Sequence, residues 1–311
     1  MHDNEPTVRS RELGTILTKA MQRKGLNARQ LARELCWDPS RMSRLLTGKR
    51  GVKDVDLAAF LALCDVTGPR RDHALELSRC AWEQVWWQEY GKRLPVHLYT
   101  LDRLEADATA VVEAAIGHVP MLLQTESYLR ASLRSLPIIP DDEMEARVAK
   151  GLLRQEIIDR VPAVRFEFFV HEHALTRHGP GSEVMCEQLH HLLRIALRPS
   201  VAIRVVPETP GTQVAFKPFQ ILEFAEFNPV VYLEFLNSIA FVERQDTLAA
   251  YRRVVEALDK AALDPNASRM WLTTAAADLA TRLTNEGRDA SSAAGPSSPV
   301  TAPDSDGWDG M

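Results

Sequence analysis

Between Asn27 and Gly48 the chain encodes two short helices whose ends are set by the residues themselves. Asn27 is a strong N-cap for a helix over Ala28–Leu35. Cys36 and Trp37 make the turn. Asp38 caps a second helix with Pro39 in its first position, where a missing N–H costs nothing, and Gly48 stops it. Leu31, Leu35, Trp37, Met42 and Leu45 fall where two short helices pack at a steep angle, and Ala32 is small where they cross. The preceding helix, Ser10 to Lys24, offers Leu13, Ile16, Leu17 and Ala20 to the same core and ends at Gly25. The spacing predicts an all-α helix-turn-helix head over residues 8–80.

Charge separates this head from the rest. Twelve basic residues face three acidic ones between Val8 and Lys53, whereas residues 81–311 hold 22 basic and 32 acidic side chains. A basic head on an acidic body points to a polyanion as partner for the head alone. The second helix of the pair presents Ser40, Arg41, Ser43 and Arg44. Such side chains meet base edges in a major groove, and arginine can grip guanine O6 and N7 together. Arg29, Gln30, Lys49, Arg50 and Lys53 flank that reader and are the expected phosphate contacts. The expected partner is double-stranded DNA.

Residues 1–7 read as disordered, 81–96 as an irregular aromatic connector (Trp82, Trp86, Trp87, Tyr90), 97–284 as a second domain, and 285–311, rich in small and polar residues, as a disordered tail. Leu98, Leu101, Leu104, Ala108, Val111 and Val112 share one helical face, as do Met144, Val148, Leu152 and Ile157. Strand-like runs follow over Val164–Val170, Val201–Pro207, Phe219–Phe224, Val230–Phe235 and Ser238–Val242, with helices over Glu183–Leu197 and Asp246–Ala262. The fold class expected is mainly α: an N-terminal all-α head plus a C-terminal α+β domain for regulation or dimerisation. Phe166, Phe168, Phe219, Phe224, Phe227 and Tyr232 either line a ligand pocket there or form the core.

The run Arg29-Gln30-Leu31-Ala32-Arg33-Glu34-Leu35, with Ser40-Arg41-Met42-Ser43-Arg44-Leu45 and Gly48, resembles the XRE-type (Cro- and phage-repressor-like) helix-turn-helix. Cys36 stands where that family usually has glycine. Ala28 and Pro39 stand where it often has glutamine, so the contacts of those glutamines do not carry over. Further on, Trp86-Trp87, Leu104-Glu105-Ala106, Val119-Pro120 and Leu122-Leu123-Gln124-Thr125 look like actinobacterial regulators whose C-terminal half is domain of unknown function 5753. So do Tyr128, Arg154-Gln155-Glu156, Met185 with Gln188-Leu189, and Val230-Val231-Tyr232 with Glu234; Met121 replaces the usual glycine of that family. The resemblance spans about residues 8–270. It implies a DNA-binding regulator, often encoded beside a small partner protein, with no catalytic residues.

Other chemistry is not singled out. His171-Glu172-His173 lacks the H-E-x-x-H spacing of zincins and reads as a polar cluster at a strand end. His190 and His191, adjacent in a helix, point apart. No G-x-S-x-G, Walker loop or G-x-G-x-x-G is present. Cys36 and Cys64 read as core. None of the four cysteines has C-x-x-C spacing, so no metal or cofactor is expected and a reducing cytoplasm fits. No apolar run reaches the ~18–20 residues of a membrane span, and Met1 to Ser10 contains no secretory signal. A lone helix-turn-helix buries little surface, so the expected reader is a homodimer on half-sites about 34 Å apart. The alternative is a protein-interaction module, an antitoxin-like partner of a small protein with DNA binding secondary. A third class, a metal-dependent or self-cleaving enzyme, has no residue pattern to carry it.

Overall fold

A threonine cap opens the fold. In the computed structural model, which describes residues 5–89, 97–160, 163–176, 179–208, 216–236 and 238–293, the Thr7 hydroxyl accepts from the Ser10 amide at the start of α1 (Val8–Arg23). Four helices complete the head: α2 (Ala28–Glu34), α3 (Pro39–Leu46), α4 (Asp54–Leu63) and α5 (Gly68–Arg79). Asn27 Oδ1 accepts from the Gln30 amide at 2.9 Å and Asp38 Oδ1 from the Ser40 amide at 2.8 Å. These bonds satisfy amides that the first turn leaves without partners. Leu17, Leu31, Met42, Leu57, Phe60 and Leu61 form the buried centre. Glycine is needed where α1 meets the end of α3. A Cβ on Gly14 would lie 2.2 Å from the Leu46 carbonyl oxygen. One on Gly48, itself at φ +75°, would lie 2.9 Å from Ser10.

The body is a single mixed sheet with helices on both faces. Its strands are β1 (Val85–Glu89), β2 (Ala110–Ala115), β3 (Arg165–His171), β4 (Val201–Val206), β5 (Phe219–Glu223), β6 (Val230–Glu234) and β7 (Ser238–Val242), in the order β1-β7-β6-β5-β2-β3-β4. The pairs β2–β3 and β3–β4 are parallel and all others antiparallel. Parallel neighbours need long crossovers. The first carries α7 (Glu126–Arg134), α8 (Met144–Gln155) and α9 (Ile157–Arg160), after α6 (His97–Asp107) has led into β2. The second carries α10 (Glu172–Thr176) and α11 (Ser182–Ile195), and α12 (Gln245–Ala261) and α13 (Pro265–Ala293) close the fold. One sheet face packs Ala114, Phe169, Phe219, Ile221 and Val231 against Leu248 and Leu258 of α12. The other packs Val111, Phe166, Phe168 and Phe241 with Leu104 of α6, Leu189 of α11 and Leu272 of α13.

Several sequence expectations change here. Val111 and Val112, read as the end of a helical face, lie in β2, because α6 stops at Asp107 and the chain turns directly into the sheet. An adjacent apolar pair suits either period, and β-branching favours the strand. The aromatic connector supplies β1, which is hydrogen-bonded to β7; Trp86 is buried with its ring 5.8 Å from Phe241. Thr7, placed in a disordered lead, is buried because its hydroxyl also donates to the Ala81 carbonyl. Helix α13 continues through residues 285–293, where disorder was expected. Cys36 is exposed, not core, and carries φ +54° in the turn. The six aromatics do not line one pocket. Phe166 and Phe168 stack in the core at 6.1 Å, Phe219 meets Tyr251 on the opposite face at 4.8 Å, and Phe224 and Phe227 enclose an arginine of the head. Residues 1–4, Tyr90, residues 294–311 and the side chain of Leu98 lie outside the described parts.

Head and body are joined by buried charge. The Val8 amide donates to both carboxylate oxygens of Glu243, at 3.1 and 2.9 Å. One turn on, the Arg11 guanidinium lies 4.7 Å from the Phe224 ring and 4.6 Å from the Phe227 ring, and none of its three nitrogens has a hydrogen-bond partner. Glu12 accepts from the Thr100 hydroxyl at 3.1 Å and pairs with Arg103 at 3.1 Å. Burial pulls Arg11 down to about 10 and pushes Glu243 up to about 7. Within the body, the motif residues fasten the segment before α7. Gln124 donates to the Val119 carbonyl, and Gln188 both accepts from the Thr125 amide and donates to the Leu123 carbonyl, each at 2.7 Å. Gln155 reaches the Met121 and Gln124 carbonyls. Glu113 of β2, deep on the sheet, is also pushed by burial up to about 7.

A carboxyl raised from 4.5 to about 7 holds a proton in the folded chain that the unfolded chain has released. Between those values the folded state binds more protons, so stability falls as pH rises. The melting temperature, followed by circular dichroism, is expected to fall from about pH 5 to about pH 8. Glu243→Gln and Glu113→Gln should each flatten part of that slope; a melting temperature that rises over the window contradicts the assignment.

Candidate nucleic-acid interface

The short helix α3 carries the candidate reader, and its orientation follows from its caps and its buried side. Met42 and Leu45 face inward, fully buried, with Trp37 beneath them. Ser40, Ser43 and Thr47 therefore point outward, one turn apart. Asp38 stabilises the N-terminus from which this stripe projects. Hydrogen bonds from the Ser40 side chain and from the Ser40 and Arg41 amides hold its carboxyl below the usual range. Arg44 curls back along the helix, with Nε 3.3 Å from the Ser40 carbonyl and Nη2 3.2 Å from Ser40 Oγ. Ser40 and Arg44 thus form one polar unit on the outer surface.

Arg41 is placed differently. Its guanidinium lies 4.1 Å from the Trp37 ring and is ion-paired with Asp56 of α4. It is held to the side of the outward stripe, stacked and charge-compensated. Asp56 was not legible as part of this site: it lies fifteen residues from Arg41, with no local pattern linking them. Asp54, its neighbour in the first turn of α4, pairs with Arg79 of α5 at 2.8 Å. The head's surplus positive charge is therefore partly consumed internally. Arg9 pairs with Glu83 and reaches the Cys80 and Val85 carbonyls, Arg11 is buried, and Lys24 pairs with Asp65.

The flanking residues remain on the surface. Arg29, Gln30, Lys49 and Lys53 are exposed and Arg50 is half-buried. Gln30 already has a structural task, since its amide oxygen accepts from the Asn27 amide at 2.8 Å in a reciprocal cap. In the body, His171 ends β3 and accepts from the His173 amide, while His190 is exposed and His191 half-buried on α11. No group of three or more His, Cys, Asp or Glu among the described residues could hold a metal ion. No helix among them is long and apolar enough to cross a membrane.

Comparison with known proteins divides the chain along the same line. A helix-turn-helix domain model matches residues 12–74, and the model of domain of unknown function 5753 matches residues 98–274. No curated protein matches the chain. The solved structure of TrmBL2, an archaeal chromatin protein with a novel mode of DNA binding, is 13% identical, with 77% of this chain and 88% of that chain covered at a TM-score of 0.29.

If Asp38 sets the start of α3, Asp38→Ala should lower stability, and Asp38→Asn should lower it distinctly less. Urea denaturation of the three proteins side by side measures it.

Proposed function

We propose that this chain, which belongs to the family of domain of unknown function 5753, is a sequence-specific DNA-binding transcriptional regulator. The observation that carries the reading is the outward stripe Ser40–Ser43–Arg44–Thr47 on a helix fixed at both ends, flanked by Arg29, Lys49, Arg50 and Lys53. Ser40, Ser43 and Arg44 read base edges, and the flanking residues position the head on phosphates. Gln30 contributes through its amide nitrogen, its oxygen being used in the cap. Arg41 joins the base contacts when DNA displaces Asp56. No step of this role needs a catalytic group, a metal or a cofactor.

The body pairs two copies and senses a ligand or a partner, and the protein acts in the cytoplasm, alongside its DNA. Apolar surface on the body supports a protein contact. Trp87 and Phe235, both about half exposed, lie with ring centroids 5.0 Å apart at the outer strand β1, beside Leu236 at 61% exposure. A homodimer is the first expectation for that surface. A small protein partner is the second, and its stoichiometric co-purification would shift the reading toward an antitoxin-like interaction module.

Binding to DNA from upstream of the chain's own gene, against a scrambled control over a salt series, tests the reading. Preference for the native fragment, with log affinity falling linearly in log salt, is the expected result. Equal or absent binding to both fragments at low salt counts against it. Arg44→Ala should cost about 1–3 kcal/mol and relax sequence preference, whereas Lys49→Ala should weaken all sequences alike and reduce the salt slope by about one. Asp56→Asn releases Arg41, so affinity should rise several-fold at low salt, and the gain should vanish in Arg41→Ala/Asp56→Asn.

A further inference from the structure

The sheet has two edges, and among the described residues the chain closes one of them itself. At β4 the outward backbone groups of Val205 are taken. Its carbonyl accepts from the Leu263 amide at 2.9 Å and its amide donates to Ser268 Oγ at 3.0 Å. At the other edge, β1 pairs with β7 alone among the described strands. The Glu243 amide donates to the Gln84 carbonyl at 2.8 Å. Alternation then puts Trp86 and Gln88 in bonded pairs with Phe241 and Ile239, and turns the amides and carbonyls of Val85, Trp87 and Glu89 away from the sheet. Arg9 Nη2, 3.1 Å from the Val85 carbonyl, lies on that outer side. No described residue hydrogen-bonds to the backbone of Trp87 there.

Open edges invite strands, and natural sheets blunt them with proline, lysine or a bulge. β1, Val85-Trp86-Trp87-Gln88-Glu89, has neither residue, and its register with β7 is unbroken. Its uncovered side chains are apolar. Val85 and Trp87 alternate with the buried Trp86, so they point to the α12 face, where both are exposed. Phe235 and Leu236, between β6 and β7, extend the patch. This edge also fits a copy of itself. Antiparallel pairing about a two-fold axis at Trp87 sets Trp87 against Trp87, each amide donating to the other carbonyl, and Val85 against Glu89. No like charges then stand opposite each other. Arg9, seated at the Val85 carbonyl, meets the acidic position 89 of the second strand, and does so at both ends. That carbonyl has two lone pairs and can accept from both Arg9 and the Glu89 amide. The charge match at the ends and the uncharged centre favour a second copy over a segment of another protein.

We propose that β1 is the dimerisation strand: two copies join edge to edge, antiparallel through Val85–Glu89, so that their sheets become one and both Trp87–Phe235 pairs lie side by side on the α12 face. This rests on the reading above that the body pairs two copies, and it names the contact. Its test needs no DNA, so DNA binding and this contact can fail separately.

The test is sedimentation velocity of the full chain over a concentration series, with hydrogen exchange of the Trp87 amide followed alongside. A dimer is expected, in which that amide is protected and from which it is released on dilution. Trp87→Lys and Trp87→Glu change a half-exposed position, so both should keep the native circular dichroism. Each alone should dissociate at least about tenfold more readily, because like charges then meet across the axis. Mixed one to one, the two variants should pair with each other more tightly than either does with itself, since only a two-fold through position 87 sets that position against itself. A wild-type chain that stays monomeric at high micromolar concentration, single variants that dimerise as well as wild type, or a mixture no tighter than its components overturns the proposal. So does a Trp87 amide equally protected at every dilution, which would assign the edge to residues 90–96 of the same chain.

Discussion

The polar contacts that hold the two halves together gather along the first two turns of α1, and the first of those turns carries the most buried of them. There Glu243, placed by the end of β7, accepts the Val8 amide and so supplies from the body what a helix N-terminus ordinarily takes from its own cap or from water. Three residues on, Arg11 gives up all its hydrogen bonds to lie between two phenylalanines. A buried, unbonded guanidinium is costly, and it is tolerated only because the carboxylate and the rings share its charge. The rest of the head inherits its position from this turn, since α1 abuts the end of α3 at Gly14 and Gly48 with no room for a methyl group.

The candidate reading helix and its partner were legible in the sequence, and their mounting was not. Asn27, Asp38, Pro39 and Gly48 act on amides within three or four residues of themselves, so local chemistry alone dictated α2 and α3. The strands from β3 to β7 were legible within a residue or two for the same reason. By contrast, β1 and β2 needed knowledge of the sheet. Trp86-Trp87 reads as irregular until β7 is beside it, and Val111-Val112 continues a helical face until the turn after Asp107 is known. Arg11 and Arg41 look like any other members of a basic head. Their partners, Phe224, Phe227, Glu243 and Asp56, lie fifteen to more than two hundred residues away, and no periodicity links them.

The body follows a related logic. Its motif residues are mostly polar, yet Glu105, Gln124, Arg154, Gln188 and Gln220 are buried. Gln124 and Gln188 tie the segment between β2 and α7 through side-chain-to-backbone bonds, replacing the ladder it cannot form, while Glu105, Arg154 and Gln220 bond to one another through their side chains. Such networks specify one arrangement more sharply than apolar packing does, because a half-satisfied network costs more than none.

The strand drawn from the connector has a geometric corollary. Because β1 is hydrogen-bonded into the sheet immediately after α5, the chain between head and body has no slack, and the two halves form one stiff lever. For copies joined through their bodies, the distance and twist between the two reading helices are then properties of the protein, fixed before it meets its target. Such a pair acts as a caliper. It tolerates substitutions within a half-site better than one inserted base pair between half-sites, which shifts the second by about 3.4 Å and rotates it by about a tenth of a turn.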